Sequence, residues 1–545
     1  VPSSTESAGM PGQQQLSFPA AVDRRAWRQH RVPVLSVALA LPLYVLWARL
    51  LGTGGGDLAA QIAWSDFVAR HPGSPYNLSW YGGSHVGGYS VLTPYLMAAL
   101  GVRTVTVLAG LAASWFAAVL FVRSGMSRPL LPALLAVLTL WCNVASGRST
   151  FAIGTAIGLA ACLALTGSAP RAARQRPVLA ALLSVLATLA SPAAGLFLLV
   201  AGAGWLLARE FTQAAALLVP PVLTVAATTL LFPIGGRQPM GTGDIWEPLI
   251  LGAVVVLVAP HDWRVVRLGT LVYMAGVVLA LLVSSPVGSN VVRLAELFAP
   301  PVLLAALLAP GPHLIRRGAL AVALAFSVNW VGQHAVDVLR MSTPVPAWAT
   351  DTRGVVAALD RLGADRTRVE VVPAVNHRET TALAPYVNTA RGWNRQLDVE
   401  RGPLFYDGSF SARRYRAWLD RWAVGLVVLP QGTPDWAAEE EAALVRAEPD
   451  WLELVWRDEH WRVYRVDDAT PLVTGPGSVV RSDGAGFTVR VGRPGSVDVR
   501  VAHSPWLRTG RGCLERAGEW TRLTVTEPGT YRISSSYRLP RQQRC

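Results

Sequence analysis

The residues best suited to chemistry are a few acids and arginines set in an otherwise apolar first half. Asp57 follows three glycines in GTGGGDLAAQ, and Asp66 lies nine positions further on. A carboxylate so placed can take a proton from a hydroxyl. The same stretch, 52–88, supplies His71, His85 and the aromatic residues Trp64, Trp80 and Tyr81, whose faces suit stacking on a ring. Arg148 stands in GRSTF, Arg237, Asp244 and Glu247 in FPIGGRQPMGTGDIWEP, and Asn290, Arg293 and Glu296 in SPVGSNVVRLAELF. Guanidinium holds phosphate oxygens through paired hydrogen bonds, which makes Arg148, Arg237 and Arg293 candidates for gripping a phosphate. Plainer roles stand beside these. Asp57 can cap the helix that follows it, and Arg293 and Glu296, three apart, share a helical face and can form an ion pair. His85, among glycines, can be a simple loop residue.

What positions these groups follows from composition. Of 545 residues, 52% are hydrophobic and only 15% charged, a balance that excludes a soluble class for most of the chain. All 49 basic residues are arginine. They are scattered between apolar runs and form no basic stripe with aromatics, which argues against nucleic acid as a partner. The polar residues divide the chain in two: Val1–Val336 holds 20 Arg and 9 acids, while Asp337–Cys545 holds 29 Arg and 26 acids.

A helix needs about 20 apolar residues to cross ~30 Å of hydrocarbon. Eleven runs qualify: 33–50, 103–122, 129–146, 151–166, 178–191, 193–208, 214–232, 247–260, 268–284, 292–309 and 318–336. With the tail before residue 33 in the cytoplasm, alternation puts fourteen of the first half's arginines inside and six outside, as the positive-inside rule expects. Residues after 336 then lie outside, where the compartment permits a Cys513–Cys545 disulfide. Cys142 and Cys162 fall in apolar runs and fit core packing, and the cysteine spacing matches no metal signature.

The expected organisation is a cytoplasmic tail (1–32), an α-helical polytopic bundle (33–336) with a long outer loop (52–88), an extracytoplasmic α/β domain (337–471) and a small β-sandwich (472–545). Helix-like stretches at 352–362, 412–423 and 435–447 alternate with short apolar runs at 369–373 and 425–429. From 472 onward, period-two strands such as 495–501 and 529–533 alternate with Gly and Pro turns. Within the outer loop, Leu58–Val68 is expected to lie along the membrane surface as an amphipathic helix.

A carboxylate, phosphate-binding arginines and aromatics at an outer leaflet suit one reaction: transfer of a sugar from a lipid phosphate to a hydroxyl. That reaction needs a base for the acceptor proton, cationic donors on the departing phosphate and apolar grooves for the lipid tail. It needs no nucleotide cradle, and the chain has no P-loop, dinucleotide fingerprint or metalloprotease helix motif.

The layout resembles the GT-C superfamily of integral-membrane glycosyltransferases, which use polyprenyl-phosphate sugars. The likeness lies in a first helix, a long outer loop opening with an acid (GGGDLAAQ), many further helices and an outer C-terminal region. RGWNRQLD (391–398), GPLFYDGS (402–409) and HSPWLRTGRG (503–512) look like segments of large actinobacterial membrane proteins of this type. The resemblance implies that Asp57, with Asp66 as fallback, is the catalytic base or a metal ligand. It implies as partners a lipid-linked sugar donor, a glycan, lipid or protein acceptor and the membrane itself. It fixes no cofactor, and a divalent metal stays open. Unlike better-known members, the chain lacks a Trp-Trp-Asp type acceptor motif and any evident paired acidic motif. Two rivals remain at this stage. A secondary transporter would also have many helices with buried charges, but its acids belong near the bilayer midplane and not at outer helix ends. A non-catalytic envelope-assembly scaffold would keep the shape without the chemistry.

Overall fold

A computed structural model describes residues 24–166, 175–233, 235–311 and 313–538. Each of the eleven apolar runs falls on a helix. The first is α1 (Arg24–Leu46), extended by a π turn through Leu51. A helix outside those runs, α2 (Asp57–Arg70), follows. The others are α3 (Val102–Arg123), α4 (Leu130–Ala145), α5 (Ser149–Leu165), α6 (Gln175–Ala190), α7 (Pro192–Leu207), α8 (Phe211–Leu231), α9 (Trp246–Val258), α10 (Arg264–Leu282), α11 (Arg293–Leu308) and α12 (Leu314–Ser342).

Among the described residues, six helical stretches are long and apolar enough to cross a membrane, while α4 to α7 are shorter apolar helices. Their outward faces carry bare aliphatic side chains, such as Leu230, Leu282 and Val322 at 81%, 74% and 71% exposure, as lipid contact requires. Inward faces use small residues for close approach. A Cβ added at Gly204 would come within 2.7 Å of the Val265 carbonyl oxygen, so α7 and α10 touch backbone to backbone there.

Beyond α12 the chain forms a mixed four-stranded sheet. Its strands are β1 (Arg368–Val371), β2 (Val424–Pro430), β3 (Leu452–Arg457) and β4 (Trp461–Val466), in the order β1-β2-β4-β3 with β1 and β2 parallel. The central β2 is buried throughout. One face packs on α13 (Arg353–Arg361) and the other on α14 (Ala412–Trp422) and α15 (Glu439–Arg446). The RGWNRQLD segment cross-links this layer. Buried Arg391 donates to Glu370 at 2.8 Å and also to Glu441, Asn394 caps the helix that follows, and Arg395 makes paired 3.0 Å bonds to Asp435.

The last strands are β5 (Gly477–Asp483), β6 (Gly486–Val491), β7 (Gly495–Ala502), β8 (Leu507–Thr509), β9 (Cys513–Ala517), β10 (Trp520–Val525) and β11 (Gly529–Ser535). They form two sheets, β8-β11-β6-β5 and β9-β10-β7, around one apolar core. Cys513 is disulfide-bonded; its expected partner, Cys545, lies outside the described residues, as does most of the expected 1–32 tail.

Two expectations for the outer loop need correction. α2 is not an amphipathic helix with one apolar face left open for lipid. Leu58, Ala59, Trp64, Phe67 and Val68 are buried against both the bundle and the layers that follow α12, and with apolar contacts on most sides the helix has no wide lipid-facing stripe. Nor is the sandwich built only from 472–545, since Tyr76 and Leu78 of the loop sit in its core.

Candidate functional site

The loop that carries Asp57 is tied down from outside the bundle. Gly54 and Gly56 have φ of 107° and 63°, which only glycine adopts without strain, so the chain can reverse within a few residues of α1. Gly55 lies so near α12 that a Cβ would be 2.5 Å from the Ser342 carbonyl oxygen. The Arg378 guanidinium donates to Thr53 O at 3.0 Å, Thr53 Oγ1 at 2.6 Å and Ser342 O at 2.8 Å. Gly56 N–H donates to Asn376 O at 2.8 Å. Asp57 therefore starts α2 from a fixed point.

Asp57 is not the helix cap; Gly56 occupies that position and no side chain caps it. The Asp57 carboxylate is 37% exposed and lies 4.0 Å from Arg293 Nη2, too far for a hydrogen bond. Nearby, the Tyr89 hydroxyl accepts from Gln61 Nε2 at 3.4 Å, and Thr150 Oγ1 bonds Gln61 Oε1. Burial, and then the negative charge of Asp57, push the Tyr89 phenol above its ordinary range.

The expected Arg293–Glu296 pair does not form. Glu296 turns instead to Arg148, with Nη1 to Oε2 at 2.5 Å, and Arg148 Nη2 donates to His334 Nε2 at 2.9 Å. Arg293, one turn earlier on α11, points toward Asp57 and lies over the Phe151 ring at 5.6 Å. Helix α11 thus presents two opposite charges to two different partners. Arg148 is neutralised by a close carboxylate, whereas Arg293 has only the distant Asp57.

Asp57, Arg148, Arg293 and Glu296 are therefore brought together at one end of the bundle. The other expected residues are not. Asp66, nine residues along α2, falls on the opposite helical face roughly 13 Å away. It is exposed, and partial burial raises its pKa against the pull of Arg70. Trp80 and Tyr81 cannot stack on a sugar: they are 1% and 0% exposed, and the Tyr81 hydroxyl is bonded to the Asn394 backbone. His85 is likewise not a binding group. Its ring is buried, with Nδ1 at 2.9 Å from Pro233 O and Nε2 at 2.9 Å from Ser504 Oγ, and burial lowers its pKa to about 4. Asp244 caps a short turn by accepting from Gly241 N–H at 2.8 Å, while Glu247 lies in the first turn of α9 and Arg237 is exposed. Asn290 belongs to a 3-10 turn before α11. Among the described residues these four form no hydrogen bond or ion pair with the Asp57 group.

Tyr89, Asn143 and His334 were missed by sequence reasoning. His334 carried one signal, a histidine inside an apolar helix, where a titratable side chain needs a partner. No group of three His, Cys, Asp or Glu side chains able to hold a metal occurs among the described residues.

Fold and site together define a multi-pass helical membrane protein with a polar cluster at the bundle end, roofed by α/β and β-sandwich layers. A family described as a domain of unknown function (DUF8823) matches residues 508–545. No curated protein matches the sequence. The chain is similar to the solved arabinofuranosyltransferase AftD from Mycobacteria, at 13% identity and a TM-score of 0.45, covering 89% of this chain and 42% of that one. It thus spans about two fifths of that protein's length. It is also similar to the Archaeoglobus fulgidus oligosaccharyltransferase in the apo form, at 11% identity and a TM-score of 0.44, covering 75% of this chain and 70% of that one. A third similar structure is ArnT from Cupriavidus metallidurans bound to undecaprenyl phosphate, at 13% identity and a TM-score of 0.38, covering 80% of this chain and 98% of that one.

Proposed function

We propose that the chain is a membrane glycosyltransferase that moves a sugar from a polyprenyl-phosphate donor to an envelope acceptor at the outer membrane face. The observation that carries this reading is the Asp57–Arg293 arrangement: a half-exposed carboxylate that, among the described residues, makes no hydrogen bond and lies 4.0 Å from a guanidinium with no closer acid. Asp57 takes the proton of the acceptor hydroxyl as its oxygen bonds the anomeric carbon. The bond from that carbon to the phosphate oxygen breaks, its electron pair goes to the phosphate, and Arg293 holds the charge that develops. The lipid tail lies along apolar helices and the acceptor enters from water. The arginine asymmetry supports a cytoplasmic N-terminus and an extracytoplasmic C-terminal region.

Asp57→Asn tests this directly. The variant keeps size and hydrogen-bonding ability but cannot accept the proton. Transfer from a polyprenyl-phosphate sugar falls by about 10²-fold or more, with the thermal midpoint unchanged. Unaltered turnover in Asp57→Asn would falsify the assignment.

A further inference from the structure

Away from the bundle, one face of the β-sandwich carries charge of a single sign. β5 pairs with β6 so that Arg481 stands opposite Thr488 and Ser478 opposite Arg490, and β11 sets Arg532 opposite Thr488 and Thr530 opposite Arg490. Residues opposite one another in a ladder project to the same side, as do residues two apart on one strand. Arg481, Thr488 and Arg532 therefore form one row, with Ser478, Arg490 and Thr530 beside it, while Val489, Tyr531 and Ile533 turn into the core. Arg481 and Arg532 stand about 10 Å apart across β6, and Arg490 lies roughly 8 Å from each. All three arginines are exposed.

Among the described residues, these three guanidinium groups make no hydrogen bond or ion pair. The acids of the sandwich are engaged or placed elsewhere. Asp483, at the corner of the face, accepts from Ala485 N–H at 2.8 Å. Asp498 pairs with Arg522 at 2.6 Å on the other sheet, and Glu519 pairs with Arg421 at 2.7 Å. Glu515 lies in β9 of that other sheet, and Glu527 between β10 and β11. Arg508, on the neighbouring β8, is held by the carbonyls of Pro505, Leu507 and Arg538. Three unpaired cations within about a Debye length of one another repel, so they add nothing to the fold and raise the potential above the sheet. The side chains around them select the partner. A protein interface needs an apolar centre, a bilayer contact needs groups that enter the hydrocarbon, and stacked bases need open rings. The two rows hold only arginine, threonine and serine. Repeated anions on a hydroxyl-rich chain suit both the guanidinium groups and the hydroxyls between them. We propose that this face binds an anionic polysaccharide, whose successive carboxylate or phosphate groups meet Arg481, Arg490 and Arg532. The inference goes beyond the transfer reaction and does not depend on it.

The experiment titrates full-length protein in nanodiscs of neutral lipid with carboxymethyl-dextran, dextran phosphate, unmodified dextran and phosphatidylglycerol vesicles. Two triple variants are compared with wild type. One is Arg481→Gln/Arg490→Gln/Arg532→Gln. The other, Arg413→Gln/Arg446→Gln/Arg457→Gln, removes the same charge from exposed arginines of the α/β layer. Wild type binds a charged dextran and not the unmodified one. The first variant binds it about tenfold more weakly, and the second stays within about twofold of wild type. Added salt weakens binding more steeply in wild type than in the first variant. Loss confined to carboxymethyl-dextran assigns a carboxylate-bearing chain, loss confined to dextran phosphate a phosphate-bearing one, and loss of both makes charge alone sufficient. Equal losses in the two variants would show that only net charge matters and overturn the face. Failure of wild type to bind either charged dextran, or equal binding of unmodified dextran, overturns it as well. Weakened vesicle binding in the first variant, with charged-dextran binding intact, would make the face a membrane contact and reject the polysaccharide.

Discussion

At the scale of single residues, the decisive point is that two arginines of one cluster have different partners. Arg148 and Glu296 are 12% and 13% exposed in their side chains and 2.5 Å apart. Removing one member of such a buried pair leaves an uncompensated charge, which typically costs 3–5 kcal/mol. Arg148→Ala should therefore lower the thermal midpoint markedly. Arg293 contacts Asp57 only at 4.0 Å, so Arg293→Ala should leave stability nearly unchanged while weakening polyprenyl-phosphate binding at least tenfold. Thermal unfolding and lipid titration on both variants separate the roles, and a large stability loss in Arg293→Ala would assign it to the fold instead. The sequence made Asp57, Arg148, Arg293 and Glu296 legible as candidates because charge is scarce in an apolar half. It could not show the pairing. Spacing on one helix favours i, i+3 partners, but α11 directs Arg293 and Glu296 to groups more than 140 positions away in the chain.

At the scale of elements, a strap from the α/β layer sets the loop that carries Asp57. Arg378, with Asn376, fastens Thr53–Gly56 to the C-terminal end of α12, and Asp57 is the next residue. A displacement of about 1 Å can reduce turnover on the order of 10²-fold even when the altered residue is remote. Arg378→Ala should thus lower kcat by ~10- to 100-fold with little change in KM for the lipid donor, and Arg378→Lys should recover part of it. A change confined to KM would show that Arg378 governs binding, not placement. The helices themselves were legible because a run of apolar residues is read without knowing its neighbours. α2 was misread for the complementary reason. Its apolar residues face two protein layers, and a sequence window cannot distinguish burial in protein from burial in lipid. The strap left no local trace, since Thr53 and Arg378 meet across 325 positions.

At the scale of the whole molecule, the bundle and the β-sandwich are joined at a seam where the first loop, the end of α8 and the sandwich meet. Trp506 Nε1 donates to Leu231 O at 2.6 Å and the indole stacks on Phe232 at 5.4 Å. His85 completes the seam between Pro233 of the bundle and Ser504 of the sandwich. The backbone carbonyl accepts from Nδ1–H, so Nε2 accepts from the serine and the imidazole is neutral. Burial, aided by Arg401, lowers its folded pKa to about 4 from the ordinary 6.5. The unfolded chain therefore binds a proton first as pH falls. This contribution to stability is complete above pH 6.5 and is lost as pH drops from there through about 4, reaching about 3 kcal/mol if the whole shift is realised. His85→Gln keeps a donor for Pro233 and an acceptor for Ser504 but does not titrate. Thermal midpoints of the full-length protein measured between pH 7 and pH 4 should fall less steeply in the variant than in wild type. Parallel curves would mean that acid loosens the molecule elsewhere, and that His85 holds the seam without sensing protons.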